Sequence, residues 1–215
     1  ELESMLEGLA VDGLEIGFRS VFHENHIKLL FRLGVPEAAR AAAVEAVIAR
    51  VGWRAFGVDS PDLAGVVGQR LVARGESVAV AESCTAGRLC AWLADVPGAS
   101  RYLLEGAVCY SNEAKVRACG VPPATLAAHG AVSEPVARAL AEGMRARAGA
   151  TWGIGITGVA GPGGGTPEKP VGTVFVAIAG PDGATCRGWR FRGDRDQVRA
   201  AAVAAGLSQL LRAMG

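Results

Sequence analysis

Histidine is scarce in this sequence, cysteines are few, and net charge is almost absent. Each shortage excludes something. The three histidines are His23, His26 and His129. His23 and His26 are spaced as H-x-x-H, but no cysteine or acidic cluster completes a ligand set, so no metal site is expected. The five cysteines, Cys84, Cys90, Cys109, Cys119 and Cys186, are odd in number and contain no C-x-x-C pair. A disulfide scaffold is not expected in a chain of this size, and reduced, mostly buried thiols are. The formal net charge is +1, which leaves no field to draw in nucleic acid or an acidic membrane surface. No apolar run approaches the roughly 18 residues of a membrane-spanning helix. No basic-then-apolar leader is present, and a cytoplasmic protein is expected. The first residue is Glu1 rather than Met, and the expectation is a processed chain or a piece of a longer one.

What is present is apolar residue in quantity. Half of the 215 residues are hydrophobic, enough for one domain with a real core plus a small appendage. Residues 1–57 read as a β-β-α unit, with strands at Leu14–Phe18 and His26–Phe31 and an alanine-rich helix at Glu37–Val51. Gly52 stands where a helix C-terminus wants glycine. Residues 58–215 alternate strands and helices. Ser60 and Pro61 predict an N-cap and first helical position. Strands are expected at Ser77–Ala81, Glu105–Tyr110, Gly153–Thr157, Val171–Ala179 and Arg187–Arg192. Helices are expected from Ser83, from Ser133 and from Asp194. Gly180-Pro181-Asp182-Gly183 reads as a hairpin turn. The fold class is therefore α/β, a three-layer α/β/α domain with a mixed sheet.

Four clusters of residues have chemical possibilities. In Ala79–Val96 a buried strand ends in Glu82-Ser83-Cys84-Thr85, and a helical pattern follows. Ser83 would be exposed at a strand's carboxyl end, where open α/β sheets place ligands. Unpaired N–H groups there could serve an oxyanion. The competing reading is that Ser83 or Thr85 only caps the helix, and the junction alone favours it. Cys84 is a rival nucleophile, but its one possible base in this part, His129, reads as a solvated loop residue. The second cluster is Tyr110-Ser111-Asn112-Glu113-Ala114-Lys115, where Lys115 is either a base of Ser-Lys type or a surface lysine in a first helical turn. The third is Thr157–Thr166, ten residues with five glycines after a buried strand. It is either a plain loop or backbone brought close to a ligand. In the fourth, Arg195 and Arg199 share a helix face and either clamp an anion or pair with nearby aspartates.

Taken together, Ala81–Gly87, Tyr110–Lys115, Gly130–Ser133, Thr157–Pro162, Lys169–Val174 and Gly193–Arg195 resemble the CinA C-terminal domain, the family of nicotinamide-nucleotide amidases of PncC type, in order and spacing. The resemblance runs from about residue 60 to the end. Residues 1–57 resemble the KH-like linker domain of full-length CinA proteins, which carry a further N-terminal nucleotide-pyrophosphatase-like domain; nothing in these 215 residues matches it, and it is expected in the full-length protein. The resemblance implies an amidohydrolase that converts nicotinamide mononucleotide to nicotinate mononucleotide and ammonia, without metal or organic cofactor. It implies Ser83 as nucleophile, with Lys115 and Tyr110 activating it. It implies substrate binding by Thr85, Thr157, Gly158, Gly164, Gly165, Thr166, Arg195 and Arg199. Ala86 departs from the family, which often has glycine there. The expected assembly is a homodimer with no membrane and no specific nucleic-acid partner. KH domains grip RNA through a G-x-x-G loop, and Gly8, Gly13, Gly17 and Gly34 do not have that spacing. The alternative function is an inactive nucleotide-binding or scaffold domain.

Overall fold

Val78-Ala79-Val80-Ala81 has no polar side chain to satisfy, so it can be buried on both faces only as an interior strand of a sheet. In the computed structural model, which describes residues 2–9, 11–21, 24–59 and 62–215, that is its place. The chain divides into two compact units, residues 1–58 and 59–215.

The larger unit holds a five-stranded sheet in the order β4-β3-β5-β6-β7. Its strands are β3 (Val78–Glu82), β4 (Leu103–Val108), β5 (Trp152–Gly158), β6 (Thr173–Gly180) and β7 (Gly183–Arg190). Strand β3 runs parallel to both β4 and β5, while β6 and β7 are antiparallel additions, so the sheet is mixed. Helices cover both faces. On one side lies α7 (Glu134–Ala148), which buries Val136, Ala137, Leu140, Ala141 and Met144. It packs on β3, β5 and β6. The alternation of β5 explains how closely it comes. A Cβ at Gly153 or Gly155 would run into the carbonyl oxygens of Ala141 and Ala137. On the other face Ile154 and Ile156 meet Gly206 of α8 (Arg195–Met214). Helices α3 (Leu63–Arg74) and α4 (Arg88–Ala94) pack beside α8. Helix α5 (Asn112–Cys119) packs against α7, and so does α6 (Pro123–His129).

The smaller unit is an antiparallel hairpin with two helices. Strands β1 (Leu14–Val21) and β2 (Glu24–Phe31) pair with Ile16 opposite Leu29 and Phe18 opposite Ile27. Leu6 of α1 (Leu2–Leu6) and Val47 and Val51 of α2 (Glu37–Val51) form its core, with Ile16, Ile27 and Leu29 against them.

Several boundaries differ from expectation, for identifiable reasons. Ser60, Pro61 and His23 lie outside the described residues. The cap of α3 is Asp62, whose carboxylate accepts the Gly65 N–H at 2.9 Å. Strand β4 ends at Val108 rather than Tyr110, because its parallel partner β3 ends at Glu82 opposite it. Strand β7 starts at Gly183 rather than Arg187, since the two-residue turn puts Gly183 directly opposite Gly180. His129 ends the short helix α6 instead of sitting in a loop. Most consequentially, the helix expected from Ser83 begins at Arg88.

Candidate active site

Burying a polar side chain is costly unless it is paired. The described buried polar residues of the larger unit are Glu82, Ser83, Thr85, Lys115, Ser133 and Thr157. All six belong to the motifs singled out in the sequence. They collect around the carboxyl ends of β3 and β5, where the Ser83 N–H donates to Ile156 O at 3.0 Å.

The competing capping role for Ser83 is removed by Glu82. The first N–H groups of α4 need acceptors, and the Glu82 carboxylate supplies both oxygens. Leu89 N–H donates to one at 3.0 Å and Cys90 N–H to the other at 2.9 Å. These charge-assisted bonds put the cap on the strand residue before Ser83. Residues 84–87 form a turn between strand and helix, and Ser83 is left outside the helix altogether. Sequence reasoning missed this role of Glu82. The signal was available, because an acid at the end of an otherwise apolar buried strand must find donors.

Ser83 Oγ faces Lys115 Nζ at 3.2 Å. The lysine is 1% exposed. Its amine also donates to Cys109 O at 2.9 Å and to Tyr110 O at 3.1 Å. The bend after β4 aims those carbonyls, and Ser111 caps α5 by accepting the Ala114 N–H at 3.1 Å. All three Lys115 contacts are to neutral oxygens, and burial holds its amine below the usual lysine range. Cys84 differs. Its thiol is buried, and burial pushes it up to about 12, so it carries no thiolate near neutral pH. His129 is exposed at the end of α6 and supplies only its carbonyl, to Lys169 Nζ at 2.7 Å.

The remaining candidates are placed unevenly. Tyr110 is exposed, and its hydroxyl accepts from Arg195 Nη2 at 3.1 Å. Its carbonyl, not its phenol, touches the Ser83–Lys115 pair. Arg195 also donates to Gly161 O at 2.9 Å, which ties α8 to the glycine loop. Arg199 does not share that direction. Its Nε donates to Cys84 O at 3.2 Å and its Nη2 to Thr85 O at 2.7 Å. The pair of arginines is therefore split between two loops instead of forming one clamp. The Thr157 hydroxyl donates to Ala131 O at 2.8 Å, so its proton is engaged. Thr85 Oγ1 is buried without a hydrogen-bond partner. Gly158 is required by packing, since a Cβ there would meet Thr173 O and Val174. Gly164, Gly165 and Thr166 are exposed, and the Thr166 hydroxyl accepts the Lys169 N–H at 3.0 Å. A cavity of about 650 Å³ opens beyond this loop, lined by Val171, Arg190, Phe191, Arg192 and Gly193. It does not reach Ser83 or Lys115.

The comparisons with known proteins bear on the family and the fold. Residues 61–214 match the CinA C-terminal domain. A CinA-like protein from Anaeromyxobacter sp. (strain K) is 50% identical over 210 residues, 97% of this chain and 51% of the relative. A CinA-like protein from Chlorobaculum tepidum is 51% identical over 180 residues, 81% of this chain and 43% of the relative. The chain thus spans about half the length of the curated relatives it matches. Among solved structures, a competence-damaged protein (CinA) superfamily protein from Klebsiella pneumoniae 700603 superposes with a TM-score of 0.69 at 37% identity. That alignment covers 71% of this chain and 96% of the other. The superfamily protein from Escherichia coli gives 0.68 at 33% identity, covering 76% and 98%. From its fold, its ordered motifs and these relatives, the chain belongs to the CinA family.

Proposed function

We propose that residues 59–215 hydrolyse the carboxamide of nicotinamide mononucleotide to nicotinate mononucleotide and ammonia, with Ser83 as nucleophile and Lys115 as its base. The observation that carries this reading is the buried Lys115 amine, 3.2 Å from Ser83 Oγ and without a carboxylate among its hydrogen-bond partners. A neutral amine has two N–H groups and one lone pair. Cys109 O and Tyr110 O take the two N–H groups, and the lone pair is left for the serine proton.

The steps then balance. Ser83 Oγ bonds to the carboxamide carbon as its proton passes to Lys115. The tetrahedral oxyanion collapses, the C–N bond breaks, and the lysine proton leaves with the amine as ammonia. Water adds to the acyl-enzyme while Lys115 takes its proton. The C–Oγ bond then breaks, Lys115 returns that proton to Ser83, and the new carboxylic acid ionises. N–H groups of the 84–87 turn serve the oxyanion: Cys84 and Thr85 N–H take no backbone acceptor among the described residues. The substrate's pyridinium contributes twice. Its fixed charge disfavours an ammonium at Lys115, and it withdraws electrons from the reacting carbonyl. Thr85, Thr157 and the glycine loop from Gly158 to Thr166 border the substrate. Arg195 takes the phosphate, exchanging the Tyr110 hydroxyl for a stronger acceptor.

The same reading makes the protein a cytoplasmic homodimer that needs no cofactor. Residues 1–57 are a KH-like unit with no specific RNA binding. Steady-state ammonia release tests the substrate. The mononucleotide should be hydrolysed faster than nicotinamide riboside, and the riboside faster than nicotinamide, which lacks the pyridinium. Equal rates on the mononucleotide and free nicotinamide would overturn both the phosphate and the charge argument.

A further inference from the structure

We infer that Arg199 is a positioning residue for the oxyanion turn rather than a phosphate ligand. This inference rests on the amidase reading and deepens it. The argument starts from the peptide group. In a trans peptide, C=O and the following N–H point in opposite directions. The Arg199 guanidinium holds Cys84 O through Nε and Thr85 O through Nη2. Fixing Cys84 O therefore fixes the Thr85 N–H on the side of the turn away from Arg199. Fixing Thr85 O does the same for the Ala86 N–H, which closes the turn by donating to Ser83 O at 3.1 Å.

A second tie comes from the same helical turn of α8. Asp196 accepts from Arg88 Nη2 at 2.7 Å, and its carbonyl accepts from Arg88 Nη1 at 3.0 Å. The N-terminal part of α8 thus holds the segment after Ser83 at both ends, Cys84–Thr85 and Arg88. The turn needs such support. Ala86 sits at φ +51°, a left-handed conformation that a residue with a Cβ does not adopt unaided.

The charge of Arg199 adds to its geometry. A guanidinium on a carbonyl oxygen draws electron density along the peptide and makes its N–H a stronger donor. The Cys84 sulfur lies within reach of the Cys84 and Thr85 N–H groups. A protonated thiol is a weak acceptor, so a developing oxyanion displaces it readily. This assigns different tasks to two arginines one helical turn apart: Arg195 to the ligand side, Arg199 to the turn.

The test compares Arg199→Ala, Arg199→Lys and Arg195→Ala in the 215-residue chain. Each is assayed with nicotinamide mononucleotide and with nicotinamide riboside, and Ser83 labelling by a fluorophosphonate is timed. Loosening an oxyanion donor costs less than the roughly 10²–10³-fold of deleting one, so Arg199→Ala should lower kcat by about tenfold. The loss should be equal on both substrates, with KM nearly unchanged. Labelling should slow in step, because the phosphonyl oxygen occupies the same hole. Arg199→Lys, able to hold one carbonyl, should recover part of the loss, and it decides the matter if the alanine variant fails to fold. Arg195→Ala should instead raise KM for the mononucleotide alone. A defect of Arg199→Ala confined to the phosphate-bearing substrate, with unchanged labelling, overturns the inference. If the unaltered chain releases no ammonia from either substrate, the amidase reading fails. The labelling series still decides the role of Arg199, with slowed labelling supporting it and unchanged labelling overturning it. A wild-type Ser83 that the probe does not label overturns it as well.

Discussion

Two loops leave the sheet side by side, one after β3 and one after β5, and they are held in opposite ways. The turn at residues 84–87 is tied on every side. Glu82 caps the helix beyond it, Arg199 grips its carbonyls, and Lys115 sits under Ser83. The glycine loop is tied at its base, where Val159 N–H donates to Thr173 O and Gly172 N–H to Val159 O, both at 2.8 Å. From Pro162 to Glu168 it is exposed. The difference teaches a division of labour. Bond-making groups need fixed geometry, while a segment that admits a ligand gains from open backbone. Substitutions in the turn should therefore act on kcat and those in the loop on KM.

The largest effect should come from the proposed nucleophile. Ser83→Ala should lower ammonia release by about 10⁴-fold or more, while Cys84→Ala keeps most of it. Assay of the two purified variants side by side decides between them. An active Ser83→Ala protein beside an inert Cys84→Ala protein would reverse the assignment.

Lys115 comes next. Lys115→Arg keeps a charge but cannot act as a base. It should lose about 10²–10⁴-fold in turnover and still bind the mononucleotide by calorimetry. In the unaltered protein, kcat/KM should rise with pH through the lysine's folded pKa, which lies below 10.5. The sign for stability is the same. Between that value and 10.5 the unfolded chain binds more protons than the folded one, so this contribution rises with pH. Lys115→Met should flatten it in denaturant titrations across pH, and an unchanged slope would count against a depressed lysine.

A smaller effect is expected at Glu82. Glu82→Gln exchanges a carboxylate oxygen for an amide NH₂ that opposes an N–H of α4. A loss of about 1–3 kcal/mol is expected in urea unfolding, together with a fall in kcat. Loss of stability with kcat intact would show that the turn does not depend on its cap.

The smallest effects sharpen the contrast most directly. Ala86→Gly relieves a left-handed alanine at φ +51° and should gain up to about 1 kcal/mol. Gly163→Ala in the open loop has nothing within 4 Å of the new Cβ. It should change stability by no more than about 0.5 kcal/mol and leave kcat alone. A large kcat loss at Gly163 would erase the distinction between the loops.

Much of this was legible beforehand because it depends on local rules. The α2 boundaries, the glycine after α3, the Pro181-Asp182 turn and the Asp194 start of α8 all follow from residue-level chemistry. The starting point of α4 did not, because its cap comes from a strand residue six positions before its first helical residue, not from the serine adjoining the turn. The burial of Lys115 beside Ser83 did not follow from local rules either, and only the family resemblance pointed to it. A first-turn lysine is ordinary on a surface, and nothing near it in the chain says that α5 turns it inward.

By itself, then, the sequence determined the layers, the mixed sheet and which short motifs hold polar residues. Periodicity, caps and turns act over a few residues and need no distant partner. The tertiary structure alone decided what those polar residues do. Ser83 and Lys115 are 32 positions apart, and Arg199 and Thr85 are 114 apart. Whether a hydroxyl caps a helix or faces an amine, and whether an arginine meets a phosphate or a carbonyl, depends on which segments the sheet order brings together. Burial then lowers the pKa of Lys115.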